Sequence, residues 1–216
     1  MKTTIKKFNV DWLDIKNACR QTISMGDSKV EPTSEWKRKL LVARHSPLRL
    51  GTVLWKTEDI PFYVMGHLVR HNVGCTPFVS TSREDRTGVP REERKQTDEV
   101  GLQMVANIES LMNISEKRLC NCADRQTLLY WKSVLEAIRE YDEDIYWACV
   151  PSGIAHGGCT EPFGDCRMCN RILEQMTPEE RLDITKRYDA YNEFRETGMV
   201  RKRCLEEECL QTTGRK

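Results

Sequence analysis

Hydrophobic positions along the chain recur mainly at helical spacing. After Pro61, for example, the apolar residues Val64, Met65 and Leu68 fall on one helix face, and Gly74 suits the position after the helix end. Proline is favoured in the first turn of a helix, so its place here agrees with this prediction. The predicted helices cover residues 10–22, 35–43, 61–72, 100–118 and 124–141, with a last helix beginning at Thr177.

The segments between these helices are extended or irregular. Residues 48–57 contain β-branched and aromatic side chains and predict a strand. Residues 82–98 are charged and predict a long exposed loop, a feature that often carries function. Residues 149–169 are rich in Gly and Cys. We therefore divide the chain into residues 1–150 and residues 151–216, the second part comprising a Cys-rich irregular lobe, a C-terminal helix and a charged tail.

Composition narrows the class of protein. The chain has 216 residues, with 34 Lys and Arg against 33 Asp and Glu, a net charge of +1. This balance predicts no affinity for nucleic acid or for a membrane surface. The sequence has no apolar run of the roughly 18 residues that a spanning helix needs, and no signal-peptide core. We therefore expect a cytoplasmic protein whose ten cysteines are thiols or metal ligands rather than disulfides.

One stretch carries the most unusual chemistry, residues 68–83. It reads Leu-Val-Arg-His-Asn-Val-Gly-Cys-Thr-Pro-Phe-Val-Ser-Thr-Ser-Arg. A predicted helix ends in Arg70-His71, and a loop then offers three hydroxyl groups and a guanidinium. Hydroxyls, backbone N–H groups and guanidinium together suit a phosphate ester. The alternative is a solvated helix end followed by an ordinary loop.

This stretch resembles the signature of the flavin-dependent thymidylate synthases, R-H-R-x-x-S-x-N-x-x-S-x-R-Y. Arg70 and His71 match its first two positions, and Ser80 matches its second serine. Arg83 matches the later arginine if one residue is inserted, and Glu84 stands where tyrosine would follow. The positions where this chain departs from the conserved Arg, Ser and Asn are Asn72, Cys75 and Pro77.

Three further stretches resemble the same family in order and spacing. They are Ala18-Cys19-Arg20, His45-Ser46-Pro47 and residues 107–118, which are similar to the family's Asn-x-x-Ser-Leu-Met-Asn-Phe-x-x-x-Arg helix. The resemblance spans roughly residues 10–150. It implies an α+β fold with a mostly antiparallel sheet flanked by helices, assembled as a homotetramer whose active sites form between subunits.

The resemblance also implies an activity. The family methylates dUMP to dTMP with FAD, taking the one-carbon group from methylenetetrahydrofolate and reducing power from NADPH. The partners implied are thus a pyrimidine deoxynucleotide and a folate. Two alternatives stay open, because the signature is altered. One is a related flavoenzyme that acts on another pyrimidine nucleotide, such as dCMP, or leaves a hydroxymethyl group. The other is a non-catalytic nucleotide- or zinc-binding protein on the same scaffold.

Site residues follow from the resemblance position by position. Arg118 matches the family arginine that stabilises the ionised base, a role that suits a permanently charged guanidinium. The alternative for Arg118 is a surface ion pair with Glu116 or Asp124. The residues expected to contact FAD are His45, Arg70, His71, Asn72, Asn107 and Asn113. The residues expected to contact the nucleotide are His67, Ser80, Thr81, Ser82, Arg83 and Arg118, with His67 where the family commonly has Gln.

Helical geometry adds one constraint. If residues 107–118 are helical throughout, Asn107 and Arg118 lie about 20° apart around the axis and roughly 16 Å apart along it. One end of the helix could then contact the flavin and the other the pyrimidine. Asn113 lies about 120° from that stripe by the same increment, which predicts that it faces a second site or a neighbouring subunit.

Two features remain open at the level of sequence. The family segment between the signature and the Asn-rich helix is longer and often supplies another nucleotide-binding arginine. Arg86, Arg91 and Arg94 are candidates to replace it.

A Cys-x-x-Cys pair also occurs near a weaker His-x-x-Cys pair, and together they could form a structural zinc site or a set of buried thiols. Its four candidate ligands are His156, Cys159, Cys166 and Cys169.

Overall fold

The computed structural model describes residues 2–162 and 167–199, and the structural statements below refer to these residues. Its centre is a four-stranded sheet in the order β1-β2-β4-β3, and each neighbouring pair is antiparallel. The strands are β1 (Lys2–Asn9), β2 (Thr52–Pro61), β3 (Cys75–Val79) and β4 (Glu99–Asn107). The predicted α+β class with an antiparallel sheet flanked by helices is therefore confirmed.

Helices occupy most of the rest of the described chain. Their bounds are α1 (Trp12–Gln21), α2 (Ser34–Ala43), α3 (Phe62–Leu68), α4 (Glu84–Thr87), α5 (Ile108–Arg118), α6 (Arg125–Arg139), α7 (Glu143–Ala148), α8 (Ser152–Ala155), α9 (Met168–Glu174), α10 (Pro178–Leu182) and α11 (Ile184–Thr197). Short 3-10 turns form at Ser46–Leu50 and Arg91–Glu93. The last helical region begins after Thr177 as predicted, and Thr177 and Glu180 bond reciprocally there in a capping box. No helix of the described residues has the length and apolarity to cross a bilayer.

The two faces of the sheet differ in burial. Trp55 on β2 is fully buried, donates its indole N–H to the Tyr130 hydroxyl of α6 at 3.0 Å, and lies edge-on to Trp131. On the opposite face Leu54 and Val105 are only half-buried. A face that its own chain leaves half-exposed is a candidate contact surface.

The predicted helix over residues 100–118 is wrong in its first half. Residues 99–107 form β4, in which Val100, Leu102, Met104 and Ala106 are buried and alternate with half-exposed neighbours. This period of two is the pattern of a strand with one buried face. The helix begins only at Ile108, after Asn107 has capped it.

Other boundaries also differ from the predictions. The predicted strand at 48–57 is displaced to Thr52–Pro61, because Pro47 lies in a 3-10 turn. The predicted helix at 61–72 ends at Leu68, so Gly74 is not its cap but the turn residue before β3. Strands β1 and β3 were not predicted from the sequence. The division at residue 150 stays a prediction.

Candidate functional site

Arg118, at the end of α5, holds the C-terminal end of α3. Its Nε donates to Nε2 of His71 at 3.0 Å, and its Nη2 donates to the His67 carbonyl at 2.6 Å. The guanidinium is half-buried. The alternative pairing with Glu116 is not formed, since Glu116 pairs with Arg44 instead. The sequence-predicted residues His67, His71 and Arg118 therefore lie together.

Burial and like charge define the electrostatics of this cluster. Burial lowers the pKa of Arg118, and the neighbouring Arg70 charge lowers it further. Burial, then the Arg118 charge, lowers the pKa of His71 to about 4. His71 is thus neutral at pH 7, and it must carry its proton on Nδ1 to accept from Arg118. Neither Arg70 nor Arg118 forms a salt bridge within residues 2–162 and 167–199. Two nearby uncompensated guanidinium groups suit an anion.

A hydrogen-bond chain fixes the imidazole of His67. Its Nδ1 lies 2.8 Å from Oγ1 of Thr127, and the same hydroxyl donates to Oδ1 of Asp124 at 2.9 Å. Although burial raises the pKa of Asp124, hydrogen bonds from Thr127 lower it overall, so its carboxylate is ionised and accepts a hydrogen bond from the hydroxyl. His67 must then donate from Nδ1, which leaves Nε2 to face a ligand. Thr127 was missed from the sequence, and Asp124 was considered there only as an alternative ion-pair partner of Arg118.

The turn after α3 lies along α5. The Ser110 hydroxyl donates to the Val73 carbonyl at 2.7 Å, and the Asn107 N–H donates to the Gly74 carbonyl at 3.0 Å. Gly74 has a φ of +68°, and a Cβ there would lie 2.5 Å from Nδ2 of Asn107 and still closer to the Ser110 hydroxyl. A glycine is therefore required where this turn meets the start of α5. Asn107 uses Oδ1 to cap α5, accepting from Ser110 N at 2.9 Å.

The remaining predicted flavin contacts divide into two groups. Arg70 and Asn72 are exposed on the turn itself. Asn113 is exposed elsewhere, and its Oδ1 accepts from Arg44 Nη1 at 2.6 Å. Arg44 directly precedes His45, which is exposed at the start of a 3-10 turn. Asn113 therefore contacts the residue that precedes His45. That Asn113 faces a second site or a neighbouring subunit stays a prediction.

The predicted phosphate loop, Ser80 to Arg83, lies at the other end of the sheet. Ser80 bonds Gly101, with its N–H donating to the Gly101 carbonyl and its hydroxyl accepting from Gly101 N, both at 3.0 Å. Gly101 precedes Asn107 by six residues on β4, roughly 20 Å at ~3.4 Å per residue. Thr81 accepts from the Arg83 N–H at 3.2 Å. The structure therefore does not bring this loop to the Asn107 end of the site.

The loop arginine that matches the signature already has a partner. Arg83 is exposed and donates to both carboxylate oxygens of Asp85, at 2.9 and 2.7 Å. Ser82, in contrast, lines a cleft with Phe62 and Arg94. The four residues of this loop thus differ in what they can offer to a ligand.

The candidate zinc ligands do not form a metal cluster within the described residues, where no group of three or more His, Cys, Asp or Glu side chains has the required arrangement. His156 approaches the Ser152 carbonyl through Nδ1 at 3.0 Å, and Cys169 is buried against Gly153. Cys159 is half-buried. Cys166 lies outside the described residues, so the zinc site stays a prediction.

Comparison with known proteins adds information at the level of fold. No family model matches the chain, and no curated protein matches it. Among solved structures, it is similar to the UMP/dUMP methylase PolB from Streptomyces cacaoi bound with 5-Br dUMP, with a TM-score of 0.56 and 13% identity over 68% of this chain and 93% of that one. It is also similar to the flavin-dependent thymidylate synthase ThyX from Helicobacter pylori complexed with FAD and dUMP, with a TM-score of 0.54 and 13% identity over 69% of this chain and all of that one.

These likenesses identify the fold. The chain has the fold of the flavin-dependent thymidylate synthases and of a related UMP/dUMP methylase, at low sequence identity. The family resemblance that the sequence motifs indicate is therefore confirmed in the fold.

Proposed function

We propose that this protein is a cytoplasmic flavoenzyme that transfers a one-carbon group to C5 of a pyrimidine nucleotide. The first candidate reaction is methylation of dUMP to dTMP, with methylenetetrahydrofolate as donor and NADPH as reductant. The observation that carries the proposal is the half-buried guanidinium of Arg118, held by hydrogen bonds to the His71 imidazole and to the His67 carbonyl at the end of α3. It lies in a fold shared with proteins whose solved structures contain FAD and dUMP.

Arg118 supplies the charge that the chemistry needs. Carbon 5 of uracil becomes nucleophilic when negative charge develops on N3 and its flanking oxygens. A guanidinium in a half-buried site stabilises that charge more strongly than one in water, because solvent screening is reduced. The neutral imidazole of His71 orients the guanidinium without cancelling its charge. His67, whose Nδ1 is held by Thr127, can use Nε2 for a hydrogen bond with the same nucleotide.

The residues of the turn fit an anionic cofactor such as FAD. Arg70 is exposed, carries a second positive charge beside Arg118, and can bind a pyrophosphate. Asn72 offers an amide in place of the family arginine. Asn107 keeps its Nδ2 donor after capping α5. Bound FAD would supply the reducing equivalents for the transferred carbon. His45 and Asn113 would contact the same cofactor from the separate surface around Arg44.

Assembly into a homotetramer would explain the separation of these groups. The loop of Ser80–Arg83 does not reach the Asn107 end of the site within one chain, and Asn113 bonds Arg44 instead of joining the Arg118 cluster. A neighbouring subunit can bring these groups together. The half-exposed sheet face with Leu54 and Val105 supports such an assembly, because Phe78 on the same face is 55% exposed. Light scattering of the purified protein would measure the mass of the complex.

A second candidate is a flavoenzyme that acts on UMP rather than dUMP. The specific observation is the likeness to a protein described as a UMP/dUMP methylase, which has the higher TM-score of the two likenesses reported above.

The decisive assay uses purified protein, FAD, NADPH and isotope-labelled methylenetetrahydrofolate with dUMP, UMP and dCMP in parallel. The proposal predicts flavin absorbance in the protein and label transferred to C5 of one nucleotide. Arg118→Ala should lose transfer and keep FAD, while Lys117→Ala, its exposed neighbour, should keep both. A colourless protein that binds nucleotide without FAD would instead establish the non-catalytic alternative.

A further inference from the structure

A second cationic site lies at the start of α3, at the opposite end of that helix from Arg118. It is a cleft of about 220 Å³ between the N-terminal end of α3 and the loop that precedes β4. That volume equals the space of roughly seven water molecules at ~30 Å³ each, which suits a phosphate group and part of a sugar. The lining residues that matter here are Phe62, Ser82, Arg91, Arg94, Lys95 and Val100.

The charge of the cleft is positive. Three cationic side chains line it against the single carboxylate of Asp98. One oxygen of Asp98 already accepts from the Lys95 backbone N–H at 3.0 Å. Arg94 donates from Nη2 to the Thr87 hydroxyl at 2.5 Å, and its Nε is buried with no hydrogen-bond partner among the described residues. A buried charged donor without a partner is unfavourable, so an acceptor that reaches it is bound favourably.

The walls of the cleft are fixed by backbone hydrogen bonds. The Phe62 N–H donates to the Asp98 carbonyl at 2.9 Å, and the Tyr63 N–H donates to the Gln96 carbonyl at 3.1 Å. These bonds tie the arginine-bearing loop to the first turn of α3. Because α3 has seven residues, it is only about 10 Å long at ~1.5 Å per residue. The cleft and the Arg118 cluster are therefore two anchoring points on one short, rigid element.

We infer that this cleft binds the 5′-phosphate of the nucleotide substrate, with Arg91, Arg94 and Lys95 as its cationic ligands and the Ser82 hydroxyl as a further donor. The inference rests on the proposed function for the identity of the ligand. It moves the phosphate contact away from Arg83, whose guanidinium is already paired with Asp85 through both carboxylate oxygens. Phe62 and buried Val100 form an apolar floor on which the sugar packs. Of the three arginines left open by the sequence, Arg91 and Arg94 line the cleft.

The test is calorimetric titration of the full-length protein with dUMP, UMP, deoxyuridine and inorganic phosphate. The double variant Arg91→Ala/Arg94→Ala is compared with Arg86→Ala, which removes a cation of the same loop that does not line the cleft. We expect the double variant to bind the preferred nucleotide roughly tenfold to hundredfold more weakly, because charge-assisted hydrogen bonds are lost. Its affinity for deoxyuridine should be unchanged, and Arg86→Ala should bind like the unmodified protein.

Each other outcome overturns the inference. Equal losses for nucleotide and nucleoside would mean that the substitutions distort the protein rather than remove phosphate ligands. Loss on Arg83→Ala with none in the double variant would return the phosphate to the signature loop. Failure of the proposed function can be distinguished from failure of this inference. A chain that retains no FAD yet loses phosphate binding in the double variant would refute the flavoenzyme and leave the cleft in place.

Discussion

Two loops flank β3, and they differ in how the rest of the chain holds them. The turn of residues 70–74 packs along α5, with hydrogen bonds from Ser110 to Val73 and from Arg118 to His71. The loop of residues 80–98 is mostly exposed, and many of its contacts are internal, such as Arg83 with Asp85. The first is fixed by a buried helix before any ligand arrives, whereas the second depends more on its own charges. Preorganised charge of the kind that the first loop carries favours catalysis.

The largest expected effect concerns the preorganised charge. Arg118→Ala should reduce kcat roughly 10²- to 10³-fold, because it removes the group that stabilises the developing negative charge. Flavin occupancy, read from absorbance, should not change. Lys117→Ala is the matched control, since Lys117 is exposed on the same turn of α5. A variant without Arg118 that still turns over normally would remove Arg118 from the mechanism.

Substitution of one glycine in each loop compares how tightly the two loops are packed. Gly74 and Gly88 both have a φ of +68°, but a Cβ on Gly74 collides with Asn107 and Ser110, whereas one on Gly88 meets nothing within 4 Å. Gly88→Ala should cost about 1–2 kcal/mol for the left-handed conformation alone. Gly74→Ala should cost a further ~1–3 kcal/mol from overpacking. Urea denaturation measures both, and equal losses would mean that the turn is not packed tightly against α5.

The exposed arginines of the two loops are expected to differ in their contribution to FAD affinity. Arg70→Ala should weaken FAD binding roughly tenfold, the effect of losing one charge-assisted contact. Arg86→Ala, in the other loop, should leave FAD affinity unchanged. Fluorescence titration of the apoprotein with FAD gives both constants. If the two variants retain flavin equally well, the alignment of the signature at Arg70 is wrong.

The smallest expected effect concerns the protonation of His71. Burial and the Arg118 charge lower the pKa of His71 from 6.5 to about 4. Because the unfolded chain then binds more protons between these values, the contribution of His71 to stability is complete above about pH 6.5 and is lost as the pH falls toward 4. NMR of the imidazole resonances should show His71 neutral at pH 5, with a raised pKa in Arg118→Ala. An imidazole that titrates near 6.5 in the unmodified protein would contradict the burial of His71 beside Arg118.

Secondary structure was predicted most accurately where the residues favour a helix individually and also place their apolar side chains on one buried face. Residues 108–118 form the expected helix, and Asn107 and Arg118 mark its two ends. The prediction failed at residues 100–107, whose Leu, Met and Ala favour a helix individually but alternate across a sheet. That alternation favours a strand over a helix only when β2 pairs with these residues, and this pairing joins segments that are far apart in the sequence. Strand β1 was missed for the same reason, since its polar residues form an edge strand that pairs with distant β2.

The candidate site was predictable only in part. Matching of motifs located Arg118 and His71, because their residue types and spacing are distinctive. Thr127 was not found, since its contact with His67 crosses 60 residues of chain and no spacing rule connects the two. The salt bridge that occupies Arg83 was likewise invisible, because acidic neighbours of an arginine are common in exposed loops.

The central claim is that the charge of Arg118 stabilises an ionised pyrimidine. Ultraviolet difference spectra of bound dUMP, recorded across pH, report the pKa of N3 of the uracil ring directly. The account predicts that this pKa is lower in the complex than in free dUMP, and that Arg118→Ala returns it to the free value. An N3 pKa that is the same in the complex and in solution would contradict the account.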